Sequence, residues 1–259
     1  MFEWLTGKRK HLALDIASVN ECGLVRKDNQ DHFLIDPSHR LFCVADGMGG
    51  GQGGAEASYI LCDSMSNAAK AAKSFSDLVK RGADAISEAN RKIRAYAAER
   101  NWRHMGTTLA SVFLYAEGAN PVAVLAHIGD SRIYRLRFGE LELLTYDHTV
   151  AGELSRRQSM RVIADELAKR AGPLSHVLTR AVGIEDVVHA DWRKIDIHKG
   201  DTYLICSDGI YDMADKDALR NALMCDTSTE AVKEISRAVL IAGAHDNFTC
   251  ITIKIGDYE

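Results

Sequence analysis

The 259-residue chain has only three prolines and no Ser-, Gly- or charge-rich tract. Nothing in it therefore reads as an interdomain linker or a disordered arm. It shows no internal repeat, which excludes solenoids and propellers. No apolar run approaches the roughly 20 residues that a membrane-spanning helix needs. The segment Met1–Lys10 has too short an apolar stretch before Lys8, Arg9 and Lys10 for a secretory signal, and reads as a frayed or packed terminus. An excess of basic charge is also missing. With 32 Lys and Arg against 36 Asp and Glu, the net charge of −4 leaves no electrostatic footprint for nucleic acid, and is too small to favour disorder. The six cysteines, at 22, 43, 62, 206, 225 and 250, have no Cys-x-x-Cys spacing. Cys43, Cys206 and Cys250 lie in apolar strand-like runs, the pattern of reduced core thiols. A reducing compartment follows, most simply the cytoplasm.

What is present is a recurring pattern of aspartate beside glycine at the ends of apolar runs. It appears as Cys43-Val44-Ala45-Asp46-Gly47-Met48-Gly49-Gly50, His127-Ile128-Gly129-Asp130-Ser131-Arg132 and Leu204-Ile205-Cys206-Ser207-Asp208-Gly209, and His245-Asp246-Asn247-Phe248-Thr249 adds a fourth aspartate, without a glycine beside it, next to an apolar run. An apolar strand brings each carboxylate to the rim of a sheet, and the glycine lets the backbone turn or approach an ion closely. A single Asp-Gly pair is an ordinary turn. Four such aspartates, three of them beside glycine, outline a multinuclear site of oxygen ligands, suited to Mg²⁺ or Mn²⁺ rather than to zinc, which favours His and Cys.

Short apolar runs bounded by turns predict strands at His11–Val19, His32–Asp36, Leu41–Ala45, Thr107–Tyr115, Val122–Ile128, Arg132–Arg137, Leu141–Thr145, Val187–Ile197 and Thr202–Cys206. Phe138-Gly139-Glu140 reads as a hairpin. Ala57, Leu61, Met65, Ala68 and Ala72 stripe one long helix, and Phe75, Val79, Ile86, Ile93 and Ala97 a second. Leu219–Met224 predicts a short helix. Val232, Ile235, Val239 and Ala242 stripe a last one, with Thr227 and Glu230 as its capping box and Gly243 as its stop. Two groups of strands, each followed by helices, fit two packed sheets flanked by helices. The 46% hydrophobic content supports a large core. Motifs that must converge run from Arg26 to Asp246, so one domain over residues 1–259 is expected.

Eight segments in order resemble the metal-dependent protein phosphatase family, the type 2C serine/threonine phosphatases, in its bacterial form. They are Arg26-Lys27-Asp28-Asn29-Gln30-Asp31, Val44 to Gly50, Gly106-Thr107-Thr108-Leu109, Gly129-Asp130-Ser131-Arg132, Asp147-His148, Leu178-Thr179-Arg180-Ala181-Val182-Gly183, Ser207-Asp208-Gly209 and Asp246-Asn247-Phe248-Thr249. The resemblance implies an α+β fold, an α-β-β-α sandwich of two antiparallel sheets flanked by helix pairs, with metals in a cleft at one end of the sheets. It also implies hydrolysis of phosphoserine and phosphothreonine in proteins by a metal-activated water.

By the same resemblance, Asp46 bridges two ions, Gly47 offers its carbonyl to the second, and Asp208 and Asp246 complete the shell of the first. Asp31 holds a coordinating water, and Asp130 with Asp208 resembles the site of a weaker third metal. A bridging carboxylate is the group that two-metal hydrolysis calls for. Arg26 matches the phosphate-binding arginine, and a guanidinium can clamp two phosphate oxygens while staying charged. Gln30 stands where many members have Glu, which implies slightly weaker metal binding. Met48 stands where eukaryotic members commonly carry a histidine proposed as general acid. A methionine cannot donate a proton, so a metal-bound water or another group must, His127, His148 and His245 being candidates more readily explained as structural.

Residues from about 147 to 180 match the variable flap segment. Ser155-Arg156-Arg157-Gln158 and Lys169-Arg170 give it four basic residues able to steer an acidic or phosphorylated protein, and Arg180 is placed to anchor its end. The partners implied are the phosphorylated substrates of a serine/threonine kinase, met by a monomer, with no nucleic acid and no membrane span. Two other readings compete. A catalytically silent pseudophosphatase would have lost metal aspartates, whereas Asp46, Asp130, Asp208 and Asp246 all stand here. A hydrolase of small phosphates or nucleotides would be favoured by a Gly-rich loop ending in Lys-Ser/Thr, which the chain lacks.

Overall fold

The computed structural model describes residues 12–49, 52–102, 104–115, 121–157 and 177–258. Strands β1 (Leu12–Glu21), β2 (Asp31–Asp36) and β3 (Leu41–Met48) precede helices α1 (Gln52–Ala71) and α2 (Phe75–Glu99). Next come β4 (Gly106–Thr107), β5 (Leu109–Tyr115), β6 (Val122–Ile128), β7 (Arg132–Arg137), β8 (Glu140–Leu143) and helix α3 (Val150–Arg157). Then follow β9 (Asp191–Asp196), β10 (Thr202–Cys206), α4 (Asp208–Tyr211), α5 (Lys216–Leu223), α6 (Ser228–Ile241) and β11 (Phe248–Tyr258). One sheet runs β1-β11-β10-β7-β8 and the other β2-β3-β5-β6-β9, with β4 against β3. Every pairing is antiparallel.

The period-2 alternation of the strands sorts the core into three layers. Leu41, Cys43 and Ala45 of β3 pack with Leu61 and Met65 of α1 and Ile86 and Ile93 of α2. Their neighbours Phe42 and Val44 point the other way, onto Tyr203, Ile205, Ile251 and Ile253 of the facing sheet. The outer face of that second sheet, with Leu204, Cys206 and Cys250, is covered by Leu219 and Leu223 of α5 and Ile235 and Val239 of α6. Because β3 and β10 are apolar on both faces, they sit inside the sandwich and deliver their polar ends to its rim. This is the α-β-β-α sandwich that the sequence pattern suggested.

Most expected elements are found within a residue or two of their anticipated bounds. Thr227 caps α6, with Glu230 returning the hydrogen bond. Three expectations are corrected. The strand expected at Val187–Ile197 begins only at Asp191. The carbonyls of Glu185 and Asp186 before it accept from the Asn90 side chain of α2, so that stretch docks on a helix and not on a strand. The single strand expected at Thr107–Tyr115 is split at Thr108 into β4 and β5. β11, which received no strand of its own in the sequence reading, is the 11-residue partner of both β1 and β10. The terminal segment Met1–Lys10, Gly50, and Gln158, Lys169 and Arg170 of the expected flap lie outside the described residues.

Candidate metal centre and phosphate cleft

The two sheets end in a cleft of about 620 Å³, lined by Arg26, Lys27, Asp28, Gln30, Asp46, Gly47, Met48, Gly49, Thr108, Asp130, Val177, Leu178, Asp208, Asp246 and Asn247. Each carboxylate arrives by a different route. Asp46 lies inside β3, in register with Asp31 of β2. Its backbone N–H donates to Thr108 Oγ1 at 2.9 Å, and its carbonyl accepts from the Thr108 N–H at 2.9 Å, which fixes the direction of its side chain. Asp130 occupies the turn between β6 and β7. There Gly129 takes φ 95°, and a Cβ would meet the Thr108 side chain at 2.7 Å. Asp208 opens the one-turn helix α4 directly after β10, and Asp246 stands just before β11. At Gly47, any Cβ would lie 2.0 Å from the Gly54 carbonyl oxygen. Only glycine lets the first turn of α1 approach β3 so closely.

This gathering of like charge is costly without a counter-ion. Burial, with Asp31, Asp208 and Asp130 as neighbours, pushes the Asp46 carboxyl well above the usual carboxylate range. Burial, then Asp212 and Asp246, lifts Asp208 to about 6. Burial, then Asp208 and Asp147, lifts Asp130 to about 7. Asp31 lies beneath the cleft floor and does not line it. Burial lifts it to about 6 even though Ser207 Oγ donates to its Oδ2 at 2.7 Å. Ser207 in turn accepts from the Thr249 N–H at 3.0 Å, so β10 and β11 hold Asp31 in place from the opposite sheet.

Among the described residues, no three His, Cys, Asp or Glu side chains form a closed coordination shell. Uncompensated carboxylates repel, and among the described residues Arg26 is the cation in ion-pair contact with them. Its Nη2 meets Asp246 Oδ2 at 2.6 Å, while Asp246 Oδ1 accepts from the Asn247 N–H at 2.8 Å. The donor set is hard oxygen with surplus negative charge in a concave site, which fits divalent Mg²⁺ or Mn²⁺. Gly47 places its backbone at the same lining.

Other expected residues fall away from the cleft. His127 and His148 are buried and do not line it, nor does His245, whereas Met48 does. Arg180 reaches Asp191 at 2.7 Å. All six cysteines are unpaired, and Cys206 sits opposite Cys250 across β10 and β11. The sequence reading gave no role to Lys27, Asp28, Val177 and Leu178 in the lining, to Ser207 beneath Asp31, or to Asn247. Asn247 Nδ2 donates to the carbonyls of Cys22 and Asp28, and its Oδ1 accepts from the Gln30 N–H. It thereby ties the Arg26 loop to Asp246. Ser207 and Asn247 each sit next to a candidate ligand in the motifs quoted above, and that adjacency was the available signal.

A two-sheet sandwich with a carboxylate-lined cleft and an arginine at its mouth defines a metal-dependent protein phosphatase fold. Residues 23–257 match the protein phosphatase 2C family, and the chain belongs to it. It is 30% identical over 252 residues to the serine/threonine protein phosphatase PstP of Mycobacterium tuberculosis, covering 97% of this chain and 47% of that protein. The chain thus spans about half the length of that relative. PppA, described as a key regulatory component of T6SS in Pseudomonas aeruginosa, superposes with a TM-score of 0.82 at 32% identity, over 93% of this chain and 97% of that one. The catalytic domain of PstP, solved in complex with 2 manganese ions, gives a TM-score of 0.80 at 30% identity over 95% of this chain and all of that one.

Proposed function

We propose that the chain is an active phosphoserine/phosphothreonine protein phosphatase that depends on Mn²⁺ or Mg²⁺. The observation that carries this reading is the convergence of Asp46, Asp130, Asp208 and Asp246 on one cleft with Arg26 at its mouth. Asp46, the Gly47 carbonyl, Asp208 and Asp246 would hold two ions, and Asp130 with Asp208 a weaker third. The ions, when bound, supply an activated water at neutral pH. The chain itself does the rest. Asp31, held by Ser207, would position a coordinating water from beneath. Once its ion pair with Asp246 gives way, Arg26 presents a planar pair of donors to the substrate phosphate. Thr108 and Gly129 fix the carboxylates on either side of the cleft.

The complete set of cleft aspartates disfavours a silent binding module, and PstP, which it resembles, is named as a protein phosphatase. Among the described residues no helix is long and apolar enough to cross a membrane, and the unpaired cysteines support a reducing compartment. We propose a cytoplasmic activity, in a single catalytic unit acting as a monomer on the substrates of a serine/threonine kinase. The test is phosphate release from phosphothreonine peptides and from nucleotides, with and without Mn²⁺. Metal-dependent release from the peptide, lost in Asp46→Asn, is expected. Release from nucleotides alone favours a small-molecule hydrolase, and release from neither favours a pseudophosphatase.

A further inference from the structure

Asp191, on β9 and outside the cleft lining, collects three groups from separate parts of the chain. Arg156 of α3 reaches its Oδ2 at 3.2 Å, Arg180 reaches its Oδ1 at 2.7 Å, and His148 Nε2 stands 3.3 Å from Oδ2. His148 stands at the start of the expected flap segment of about 147–180, Arg156 within it and Arg180 at its end, so one carboxylate meets both ends. Burial alone would raise Asp191, but Arg180 and His148 draw it down to about 2, so it stays charged at any working pH.

His148 Nε2 meets Asp191 as an electrostatic contact outside hydrogen-bond alignment, and the other polar groups of His148 bond to backbone. Its Nδ1 accepts from the Gly129 N–H at 3.0 Å, its own N–H donates to the Gly129 carbonyl at 2.8 Å, and its carbonyl accepts from the Thr179 N–H at 2.8 Å. Because Nδ1 accepts, the ring proton of the neutral imidazole is on Nε2, the nitrogen that faces Asp191. Gly129 immediately precedes Asp130, and Leu178, next to Thr179, lines the cleft with Val177. A contiguous path therefore runs from Arg156 and Arg180 through Asp191 and His148 to the turn that carries Asp130.

We propose that Asp191 is a positioning residue that, through His148, couples the seating of the flap ends to the placement of the Asp130 carboxylate. The kinetic consequence rests on the phosphatase reading above; the structural coupling does not. Hydrogen exchange on the intact metal-free chain separates the two. Asp191→Asn is expected to speed exchange about tenfold in peptides covering both 127–132 and 177–183, with β10 and β11 unchanged. A response confined to 177–183 would overturn the coupling. Should that variant loosen the whole chain, the milder Asp191→Glu is read in the same way. In kinetics on a phosphothreonine peptide, Asp191→Asn is expected to lower kcat on the order of tenfold with KM little moved, and to add almost nothing in an Asp130→Ala background. Losses that multiply would make Asp191 a merely structural anchor. Loss of all activity in the wild-type chain would count against the phosphatase reading, while the exchange result would still decide the coupling.

Discussion

Asp31 and Asp46 face each other as register partners across β2 and β3, two carboxyl groups where a sheet ordinarily avoids like charge. The pair is held in position from both sides, by Ser207 on Asp31 and by Thr108 on the Asp46 backbone. Repulsion between them, were both ionised, would strain the fold, and a divalent cation would relieve it.

That strain gives the metal-free protein a defined pH dependence. Folding raises Asp31 and Asp208 to about 6 and Asp130 to about 7. A carboxylate raised above its unfolded value binds a proton on folding, so its stabilising contribution is present at low pH and is lost as pH rises through about 6 to 7. Ions compete with those protons. The gain in Tm on adding Mn²⁺ should therefore be larger at pH 8 than at pH 5.5. His127, which burial pushes down to about 3, destabilises the fold at low pH with or without metal, so it cancels in the difference. An equal gain at both pH values would mean that the ions do not displace these protons.

Asp31→Asn follows from the same reasoning. It removes one buried charge while keeping an acceptor for Ser207. The metal-free protein should gain about 2 to 3 kcal/mol at pH 8, the cost of keeping ionised a carboxylate whose value folding has raised from the ordinary carboxylate range to about 6, and should bind Mn²⁺ less tightly. Denaturant unfolding with and without metal checks both. Destabilisation without metal would show that the hydrogen bonds to Asp31, and not its charge, dominate.

Arg26→Ala breaks an exposed ion pair with Asp246, and such pairs contribute only about 0 to 1 kcal/mol. Tm should hardly change. If Arg26 grips the phosphate in both ground and transition states, KM on a phosphopeptide should rise about tenfold with kcat nearly constant. A large kcat defect with unchanged KM would assign Arg26 to the transition state alone.

The sandwich was largely legible because both-face apolar strands and one-face helices have distinct periods, and Leu41–Ala45 and Phe75–Ala97 show them cleanly. β11 was less so. Its Cys250-Ile251-Thr252-Ile253 run follows directly on the Asp246-Asn247-Phe248-Thr249 motif, with no turn residue between them to mark where a strand starts. Val187 and Val188 read as strand, yet their neighbours Glu185 and Asp186 are held by Asn90, a contact 95 and 96 residues away in sequence that no local pattern reports. For the site, aspartates next to apolar runs, three of them beside glycine, marked the candidate ligands. The ties between them, such as Asn247 to Cys22 and Asp28, are long-range hydrogen bonds and were invisible in the sequence.

Thiol reagents offer a check on the absence of cysteine chemistry. Cys43, Cys62, Cys206 and Cys250 are buried, and burial pushes the Cys62 and Cys250 thiols up to about 12. Native protein at pH 8 should be alkylated only at Cys22 and Cys225, as mass spectrometry would show. Modification of Cys225 should leave turnover intact. Modification of Cys22, whose carbonyl accepts from Asn247 and whose Sγ lies 3.3 Å from the Arg26 carbonyl, should raise KM. Fast labelling of Cys206 that abolishes turnover would reopen the assignment of a water nucleophile.

Asp130 separates a third-ion role from a structural one. Met48 lines the cleft and cannot donate a proton. A water on a third ion held by Asp130 and Asp208 would be one source of the proton that a departing alkoxide needs. Asp130→Ala should then lower kcat about a hundredfold or more on phosphothreonine, within the range for losing general-acid assistance. The loss should be smaller on p-nitrophenyl phosphate, because nitrophenolate departs without a proton. Were Asp130 only a turn residue before Ser131 and Arg132, both substrates would slow alike and Tm would fall. The charge balance sharpens the contrast. Burial and Asp208 hold Asp130 near 7 in the metal-free fold, so deleting its carboxylate should leave metal-free Tm at pH 8 unchanged or raised. A lowered Tm with equal losses on the two substrates would sink the third-ion role; a selective loss on phosphothreonine with Tm held or raised is the outcome the cleft geometry calls for.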